Sequence, residues 1–434
     1  MSLPNTPLDV LIIGAGGREH AITRALLASP DCGRVYVAPG NGGTAIDALN
    51  VALAVNDGSA VAAFARQNGV RLVVVGPEEP LVKGVADAVR AEGIACFGPS
   101  AVAAQIEGSK RFAKQFMDAH SLPTAAWGYF NDSYSALEFL YQHEAPIVVK
   151  ADGLAAGKGV TVATSLAEAE AAVKECLDGR FGEAGATVLI EEALSGPECS
   201  LLVFTDGQRI LPMAPAQDHK RAGEGDTGPN TGGMGVYSPV PIVSEPEHAR
   251  MLEIMEQAIN GFISDGIDYR GVLYGGFMLT AEGPKLLEFN ARFGDPETQV
   301  LLPRLNSDLL EVLYKAAVGD LGAMQLDWSS DWAVSVVLAS AGYPGSYQTG
   351  HAISGIAAAE ALPGITVYHA GTAIDEHSQL VTAGGRVLNV TAQAASFKAA
   401  QELAYQAVDK IDFSGKQYRR DIGSRALMGR AAWD

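Results

Sequence analysis

The chain has few cysteines, no long hydrophobic run and no secretory signal in residues 1–7. Its four cysteines, Cys32, Cys96, Cys176 and Cys199, show no CxxC or CxxxC spacing. This argues against zinc and disulfide frameworks and favours a reducing cytoplasm. The longest apolar runs are strand-sized, far below the roughly 20 residues that a membrane helix needs. We therefore expect neither a membrane protein nor a disulfide-rich secreted one.

Positive charge is also scarce, and the net charge is −19. Nucleic-acid binding depends on phosphate neutralisation by Lys and Arg, so no nucleic-acid partner is expected. An anionic ligand must be held by local groups, against the overall field. The 48% hydrophobic and 19% charged residues are typical of a globular protein with large cores. The length of 434 residues suggests several domains of roughly 150 residues each. We expect a cytoplasmic enzyme.

Residues 8–100 alternate strand and helix signals. The predicted strands and helices are, in chain order, Leu8–Ile13, Arg18–Ser29, Val35–Ala38, Ala60–Asn68, Leu72–Val75, Val82–Glu92 and Ile94–Phe97. This βαβ alternation predicts a parallel sheet with helices on its faces. Ligands of such sheets bind beyond the carboxyl ends of the strands.

The loop after the first predicted strand resembles a dinucleotide-binding fingerprint, but Glu19 stands where GxGxxG requires the last glycine. An NAD-dependent oxidoreductase is therefore disfavoured. The amides at the helix start, together with Arg18, suit a phosphate, and Glu19 is placed to pair with a hydroxyl or an amine. The alternative is a tight turn with both side chains in solvent.

A predicted strand ending at Lys150 runs into a glycine-rich loop, and another predicted strand follows. Gly153-x-x-x-Gly157-Lys158 is one residue too short for a Walker loop, and Gly159 replaces its Ser or Thr. We interpret the stretch as a hairpin that covers phosphates, with Lys150 as the better candidate for a buried phosphate contact. A purely structural hairpin is the alternative.

Two later stretches carry clustered charge. The strand predicted over Thr187–Ile190 leaves through Glu191–Glu198, which would form a hinge that reads a purine edge; a solvated acidic loop is the alternative. Gln217–Ser238 is the longest stretch without secondary-structure signals, and such loops are usually functional or disordered. Because it holds Asp218 and Lys220, we interpret it as a substrate loop. The case for a catalytic His219 is weak, since no acid–nucleophile pair accompanies it.

Lys285–Asn290 reads as a strand on which Glu288, Asn290 and Arg292 share one face, each about 6.5–7 Å from the next. A carboxylate and an amide oxygen suit Mg²⁺, and a guanidinium suits a transferring phosphoryl group. For three polar residues alone, an exposed polar face is the commoner explanation. The turn at 294–297 adds two acids directly afterwards, which favours a site.

In this order the segments resemble the ATP-grasp ligases and, within them, the phosphoribosylamine–glycine ligase family. The resemblance runs from about residue 9 to Gly423 and rests on Gly14–His20, Ala38–Asn41, Val75–Glu78, Lys150–Gly159, Gln217–Arg221, Thr227–Gly235 and Glu288–Gln299.

The resemblance implies an α/β and α+β multidomain fold. It implies an N-terminal parallel βαβ (pre-ATP-grasp) domain at 1–104, a two-part ATP-grasp core at 105–330 with an ATP lid at 124–193, and a small α+β domain at 331–434. The implied reaction joins glycine to 5-phosphoribosylamine with ATP, through glycyl phosphate, and gives glycinamide ribonucleotide, ADP and phosphate in purine biosynthesis. A monomer or weak homodimer is expected. The alternative is another ATP-grasp ligase or a bicarbonate-using carboxylase.

The resemblance also implies roles for individual residues. Glu288 and Asn290 would hold Mg²⁺, for which Mn²⁺ can substitute; many ATP-grasp enzymes have a further carboxylate where this chain has Gly275 and Gly276. The catalytic residues would be Arg292, Lys220 and Asp218. The implied ATP contacts are Lys110, Lys150, Gly153, Gly157, Lys158, Gly159, Glu191, Glu192, Leu194 and Glu198. The implied contacts to glycine and phosphoribosylamine are Gly16, Gly17, Arg18, Glu19, Asn41, Gly294, Asp295 and Glu297.

Overall fold

The computed structural model describes residues 7–152, 159–180 and 187–428. Within these ranges it contains four sheets of at least four strands and two two-stranded hairpins. Helices and strands are numbered below in chain order. No helix in the described ranges is both long enough and apolar enough to cross a bilayer.

The first sheet is parallel, with strand order β3-β2-β1-β4-β5, as the alternation predicts. Its elements are β1 (Leu8–Gly14), α1 (Gly17–Leu27), β2 (Cys32–Pro39), α2 (Thr44–Asp47), β3 (Leu49–Asn50), α3 (Gly58–Gln67), β4 (Leu72–Val75), α4 (Glu78–Val82), α5 (Val85–Ala91) and β5 (Ala95–Phe97). The helix predicted over Val82–Glu92 exists but begins later, at Val85, because Val82 still belongs to α4. Gly84 adopts a left-handed φ of +79°, which separates α4 from α5.

Two helices lead into an antiparallel second sheet, with strand order β6-β9-β7-β8. The elements are α6 (Gln105–Gly108), α7 (Lys110–Ala119), β6 (Trp127–Phe130), α8 (Ser133–Leu140), β7 (Ile147–Ala151), β8 (Val160–Ala163), α9 (Leu166–Glu175), a π-helical turn (Cys176–Arg180) and β9 (Val188–Glu192). Ile147, Val149 and Ile190 pack with α8 and α9 in a hydrophobic cluster separate from the main core. This sheet lies within the lid predicted at 124–193.

The third sheet is antiparallel, with strand order β11-β10-β16-β17. This part of the chain contains β10 (Glu198–Thr205), β11 (Ile210–Pro212), β12 (Gln217–Asp218), β13 (Arg221–Gly223), β14 (Thr227–Asn230), β15 (Gly235–Ser238), α10 (Glu245–Ser264), β16 (Gly271–Thr280) and β17 (Gly283–Asn290). Helix α10 begins with a capping box between Ser244 and Glu247. Its buried Met251, Ile254 and Met255 join the main core, which the sheet shares.

Residues 217–238 are not a structureless loop, so that expectation is wrong. Strands β13 and β14 form a hairpin, and β12 pairs with β15. Strand β15 in turn pairs with a strand from the C-terminal part, residues 332–340. The partner is distant in the sequence, which explains why the local pattern gave no signal.

The C-terminal part completes a sheet of order β12-β15-β18-β22-β19, with β23 beside β18. Its elements are α11 (Thr298–Leu301), a 3₁₀ turn (Leu302–Arg304), α12 (Leu309–Val318), β18 (Trp332–Ser340), α13 (Ile356–Glu360), β19 (Ile365–His369), β20 (Thr372–Ile374), β21 (Leu380–Thr382), β22 (Arg386–Ala394), α14 (Phe397–Val408), β23 (Lys416–Gln417) and α15 (Ser424–Met428). This sheet spans the boundary predicted near residue 330, so the loop with Asp218 and Lys220 is built onto C-terminal strands.

Candidate active site

Strand β17 presents Glu288 and Asn290 on one face. Leu286 and Phe289 are buried, which fixes the strand in the core. On the neighbouring strand β16, Gly276 pairs with Glu288. A Cβ at Gly276 would lie 3.4 Å from the Glu288 Cγ, so the missing side chain leaves room beside the carboxylate.

The Glu288 carboxylate is accessible to solvent and has no hydrogen bond or ion pair with another described residue. Desolvation by the surrounding protein works to raise its pKa, but the positive charges of Lys220, Lys150 and Lys110 outweigh this and lower the pKa below the usual value. The carboxylate is therefore ionised near neutral pH, and it faces lysines contributed by separate elements.

Lys150 is held by a buried carboxylate on the adjacent strand of the second sheet. Its Nζ lies 2.7 Å from Glu191 Oε1, and the Nζ of Lys114 on α7 lies 3.1 Å from Glu191 Oε2. Lys114 also donates to Thr124 Oγ1. Burial lowers the pKa of Lys114, while the Glu191 charge works to raise it. The Glu191 side chain thus orients two lysines; an adenine contact by this segment stays a prediction.

Asp218 and Lys220 lie on and just after β12. Lys220 Nζ forms an ion pair of 2.9 Å with Glu198 Oε2 at the start of β10. Desolvation raises the pKa of Asp218 to about 7, against the opposing effect of Lys220 and with additional repulsion from Glu297 and Glu198. Asp218, Glu198 and Glu297 therefore repel one another, and the positive charge of Lys220 only partly offsets this repulsion.

A hydrogen-bond chain anchors the turn after β17. Tyr274 Oη donates to Glu297 Oε1 over 2.9 Å and lies 2.6 Å from Ser200 Oγ. Glu297 is buried beneath Gly294, where a Cβ would lie 2.3 Å from Glu297 Oε2. Gly294 is thus required by close approach. The predicted turn exists, with Glu297 engaged by the core.

Arg292 does not continue the row of Glu288 and Asn290, because β17 ends at Asn290. Its Nη2 lies 2.8 Å from Glu107 Oε1, and its Nε lies 3.6 Å from Glu78 Oε2. Burial raises the pKa of Glu107, and Arg292 works against that rise. The expectation of a single row of three is corrected: the guanidinium is shared with carboxylates of α4 and α6.

The first glycine loop is buried rather than open. Glu19 is 1% exposed; its Oε2 accepts from Gly16 N, and its Oε1 accepts from Arg18 Nε. Arg18 Nη1 donates to the Phe293 carbonyl. A Cβ on Gly17 would lie within 2.5 Å of buried amide nitrogens from the C-terminal region. The alternative of a turn with both side chains in solvent is therefore wrong. A contact of Arg18 with a phosphate, or of Glu19 with a hydroxyl or amine, stays a prediction.

Asp295 joins this loop to the C-terminal part. Its Oδ1 accepts from Gln299 Nε2, and the Arg18 amide donates to Oδ2 over 3.4 Å. Arg386 Nη2 lies 3.6 Å from Oδ1, and Arg386 also donates to the carbonyls of Asp295 and Gly232. Burial works to raise the pKa of Asp295, but Arg386 and Arg18 lower it. The ionised Asp295 thus connects the turn after β17 with the loop that holds Arg18 and with Arg386 of the C-terminal part.

Asn41 has both polar atoms occupied. Its Nδ2 donates to the carbonyls of Ala15 and His369, and its Oδ1 accepts from the amides of Gly43 and Thr44. The side chain is 6% exposed. Asn41 thus fixes the loop after β2 to the loop after β1, and a direct substrate contact stays a prediction.

The other predicted ATP contacts are distributed around the lid. Lys110 opens α7 and its amide donates to Asp152 Oδ1; burial lowers the pKa of its side chain. Glu192 is exposed and Leu194 is half-buried. The carbonyl of Gly159 accepts from Ala151 N. Gly153, Gly157 and Lys158 lie outside the described residues.

The donor set of Glu288 and Asn290 fits a hard divalent cation, since both supply oxygen ligands. No group of three or more His, Cys, Asp and Glu with a metal-binding arrangement occurs in the part of the chain described. A cation here would take its remaining ligands from phosphates and water, as the sequence comparison of Gly275 and Gly276 suggests.

Sequence reasoning left the role of Arg386 open, and it missed Lys114, Glu107 and Tyr274. Lys114 carried a usable signal, because it lies one helical turn after Lys110. The others carried none, since their partners are remote in sequence.

Family models match almost the whole described chain. They are those for phosphoribosylglycinamide synthetase: the N domain at residues 8–107, the ATP-grasp (A) domain at 108–298 and the C domain at 333–425. The chain belongs to this family. It is accordingly a ligase with an ATP-grasp domain, which uses ATP together with a divalent metal and acts on small molecules. The predicted domain limits at 104 and 330 stay predictions.

Curated relatives agree along their full length. The phosphoribosylamine–glycine ligase of Allochromatium vinosum is 52% identical over 427 residues, covering 97% of this chain and 99% of that protein. The ligase of the same name from Pseudomonas aeruginosa is 51% identical over 425 residues, covering 97% and 98%. The resemblance inferred from the sequence is thereby confirmed.

Solved structures show the same architecture. The crystal structure of phosphoribosylamine–glycine ligase from Thermotoga maritima matches with a TM-score of 0.82 and 31% identity, covering 96% of this chain and 100% of that one. Biotin carboxylase from Campylobacter jejuni matches with a TM-score of 0.72 and 15% identity, covering 96% and 98%. The second likeness shows a shared fold alone.

Proposed function

We propose that this chain joins glycine to 5-phosphoribosylamine with ATP, giving glycinamide ribonucleotide, ADP and phosphate in purine biosynthesis. The observation that carries the proposal is Glu288: an accessible, ionised carboxylate without a protein partner among the described residues, surrounded by Lys220, Lys150 and Lys110. This arrangement suits a metal-bound triphosphate, in which anionic oxygens meet lysines and a cation meets a carboxylate.

The reaction needs an activated acid, because a free carboxylate acylates amines poorly. A glycine carboxylate oxygen attacks the γ-phosphorus of ATP, and ADP leaves with the bond electrons. The amine of phosphoribosylamine then attacks the carbonyl carbon of glycyl phosphate, inorganic phosphate leaves and the nitrogen loses a proton. The amide bond that forms is that of glycinamide ribonucleotide.

Glu288 and Asn290 would hold Mg²⁺, with Mn²⁺ able to take its place. Such a cation would supply charge neutralisation for the phosphates of ATP. Lys150 is well suited to a phosphate contact, since Glu191 fixes its Nζ. Lys110 is half-buried; desolvation lowers the pKa of its amine, and a nearby phosphate would favour the charged form. Lys220 would stabilise charge on the moving phosphoryl group. Arg292 would contribute to the same field at longer range, because its guanidinium is shared with two acids.

The remaining ATP contacts are proposed from position. Glu192, the last residue of β9, and Leu194 just after it would contact adenine. Glu198, with its side chain 42% exposed, would accept from the ribose. Gly159 would contact the phosphates, as would Gly153, Gly157 and Lys158, which lie outside the described residues.

Glycine and phosphoribosylamine would lie on the side of the lysines that faces away from ATP. Asp218 is supported as a partner for the glycine ammonium, because a nearby cation would favour its ionised form. The turn with Gly294, Asp295 and Glu297 would shape that pocket. Phosphoribosylamine would meet the N-terminal loops through backbone amides near Gly16 and Gly17, with Arg18, Glu19 and Asn41 holding those loops in place.

One assay tests this assignment. ADP release is measured with ATP, glycine, Mg²⁺ and phosphoribosylamine formed in situ from ribose 5-phosphate and ammonia, omitting each in turn. We expect ADP only with all components, and glycinamide ribonucleotide in equal amount. ADP release without glycine, or dependent on bicarbonate, would overturn the proposal and point to a carboxylase. Replacing Mg²⁺ by Mn²⁺ tests the metal preference.

Two further expectations remain proposals. We propose a cytoplasmic location, supported by the four free cysteines. We also propose a monomer or weak homodimer, which sedimentation over a concentration series would test.

A further inference from the structure

The C-terminal segment 419–425 is packed onto the β13–β14 hairpin, which begins directly after Lys220. Asp421 Oδ2 accepts from the Gly225 amide over 2.9 Å, and Glu224 Oε1 accepts from the Arg420 amide over 3.1 Å. These contacts join positions almost 200 residues apart in sequence. The hairpin therefore has its conformation fixed by the C-terminal segment.

Arg419 is the central group of this contact and is only 1% exposed. Its Nε and Nη2 donate to the two carboxylate oxygens of Asp421 over 2.8 and 2.7 Å. Its Nη1 donates to the Arg221 carbonyl and to Asp226 Oδ1, each over 3.0 Å. This planar, bidentate geometry is specific to a guanidinium. One buried side chain thus fixes both the first residue and the tip of the hairpin.

His219 provides a second connection, between the two residues assigned to the reaction. Its Nε2 accepts from the Gly423 amide over 3.1 Å, so the ring proton resides on Nδ1. Nδ1 is buried without a hydrogen-bond partner in the described part of the chain. Burial, reinforced by Arg419 and Arg425, lowers the pKa of His219 to about 3, so the ring is neutral. It acts as an acceptor, not as an acid or base.

The backbone around His219 is also hydrogen-bonded to strand β15 and to the residues that precede that strand. The His219 amide donates to the Gly235 carbonyl, and its carbonyl accepts from Met234 N. The Lys220 carbonyl accepts from the amide and hydroxyl of Thr231. The strand carrying Asp218 and Lys220 is thus fixed between β15 and the C-terminal segment.

We propose that Arg419 and His219 are positioning residues of the ligase reaction, through which the C-terminal segment sets the placement of Asp218 and Lys220. The proposal rests on the function proposed above. Both side chains are buried, with 1% of each exposed to solvent. Each acts through the backbone of residues 218–221, and a displacement of about 1 Å at a reacting group can cost up to 10²-fold in rate.

Variants at His219 separate positioning from packing. His219→Gln places an amide oxygen near the Nε2 position and retains an acceptor, whereas His219→Leu leaves the Gly423 amide unpaired. We expect His219→Leu to lower kcat about 10- to 100-fold with little change in KM for ATP. We expect His219→Gln to stay within about threefold of wild type. If His219→Leu and His219→Gln lose kcat to the same extent at unchanged thermal stability, the role of His219 as a hydrogen-bond acceptor is refuted.

Variants at Arg419 keep the test decisive if His219→Leu does not fold. Arg419→Lys retains the charge but not the fork, and we expect about a tenfold loss in kcat. Arg420→Ala is the matched control, because the Arg420 side chain is exposed and its backbone contact to Glu224 remains. Full kcat in Arg419→Lys and His219→Leu would overturn the proposal while leaving the ligase assignment intact. An inactive wild type would instead overturn the ligase assignment.

Discussion

The buried group of Lys114, Glu191 and Lys150 allows a quantitative prediction. The side chains of Lys114 and Glu191 are 3% and 2% exposed, and that of Lys150 is 12% exposed. The three groups carry one net positive charge. Glu191→Gln keeps the shape but removes the only negative charge of the group, so two positive charges remain in a nearly water-free region. Removing one partner of a buried pair costs about 3–5 kcal/mol.

The pH dependence of this effect has a definite sign. Burial already lowers the pKa of Lys114, and loss of the Glu191 charge lowers it further. Between the lowered folded pKa and the higher unfolded value, the unfolded chain binds more protons, so stability rises with pH. The deficit of Glu191→Gln is therefore expected to shrink as the pH rises towards the unfolded lysine pKa of about 10.4.

Native-state hydrogen exchange in the second sheet measures the effect, because that sheet has its own hydrophobic cluster. Protection of the Ile190 amide is expected to fall roughly 10²- to 10⁴-fold in Glu191→Gln at pH 6. The double variant Glu191→Gln with Lys114→Met has one net positive charge again and should recover part of the loss. Unchanged protection in Glu191→Gln, or a double variant less protected than the single one, would refute the reasoning.

Further predictions concern the same cleft. Glu288→Gln is expected to lower kcat at least ~100-fold with unchanged thermal stability, measured by ADP release; near-normal turnover would show that the metal-binding face is misassigned. Arg292→Ala is expected to lower stability by about 3–5 kcal/mol in urea unfolding, because Glu107 stays buried without its partner. Asp218 has a pKa raised to about 7, so its contribution to stability is present at pH 4 and is lost as the pH rises through about 7; Asp218→Asn should flatten this decline in a thermal-unfolding series. Gly76→Ala places a Cβ 1.9 Å from Glu19 Oε1 and should lower the melting temperature, whereas Gly69→Ala meets no atom within 4 Å and serves as a steric control, although its φ of +68° adds backbone strain.

Several site features could be predicted because they depend on local pattern. The position of Glu288 and Asn290 on the same face follows from the two-residue period of a strand. The structure confirms the predicted strand as β17. The parallel N-terminal sheet follows from alternating strand and helix signals. Lys150 at the end of β7 was likewise visible, since an apolar run ends there.

The sequence by itself determined the fold class, the family and the residue types of the site, because these depend on local periodicity and on the order of the motifs. The ion pairs of the site were decided by tertiary structure alone. Which carboxylate meets which cation was decided by packing: Glu191 meets Lys114 and Lys150, and Asp295 meets Arg386. A buried charge is stable only beside its opposite, and in the folded chain that opposite comes from a remote segment. The local sequence pattern therefore does not predict which two charged residues pair.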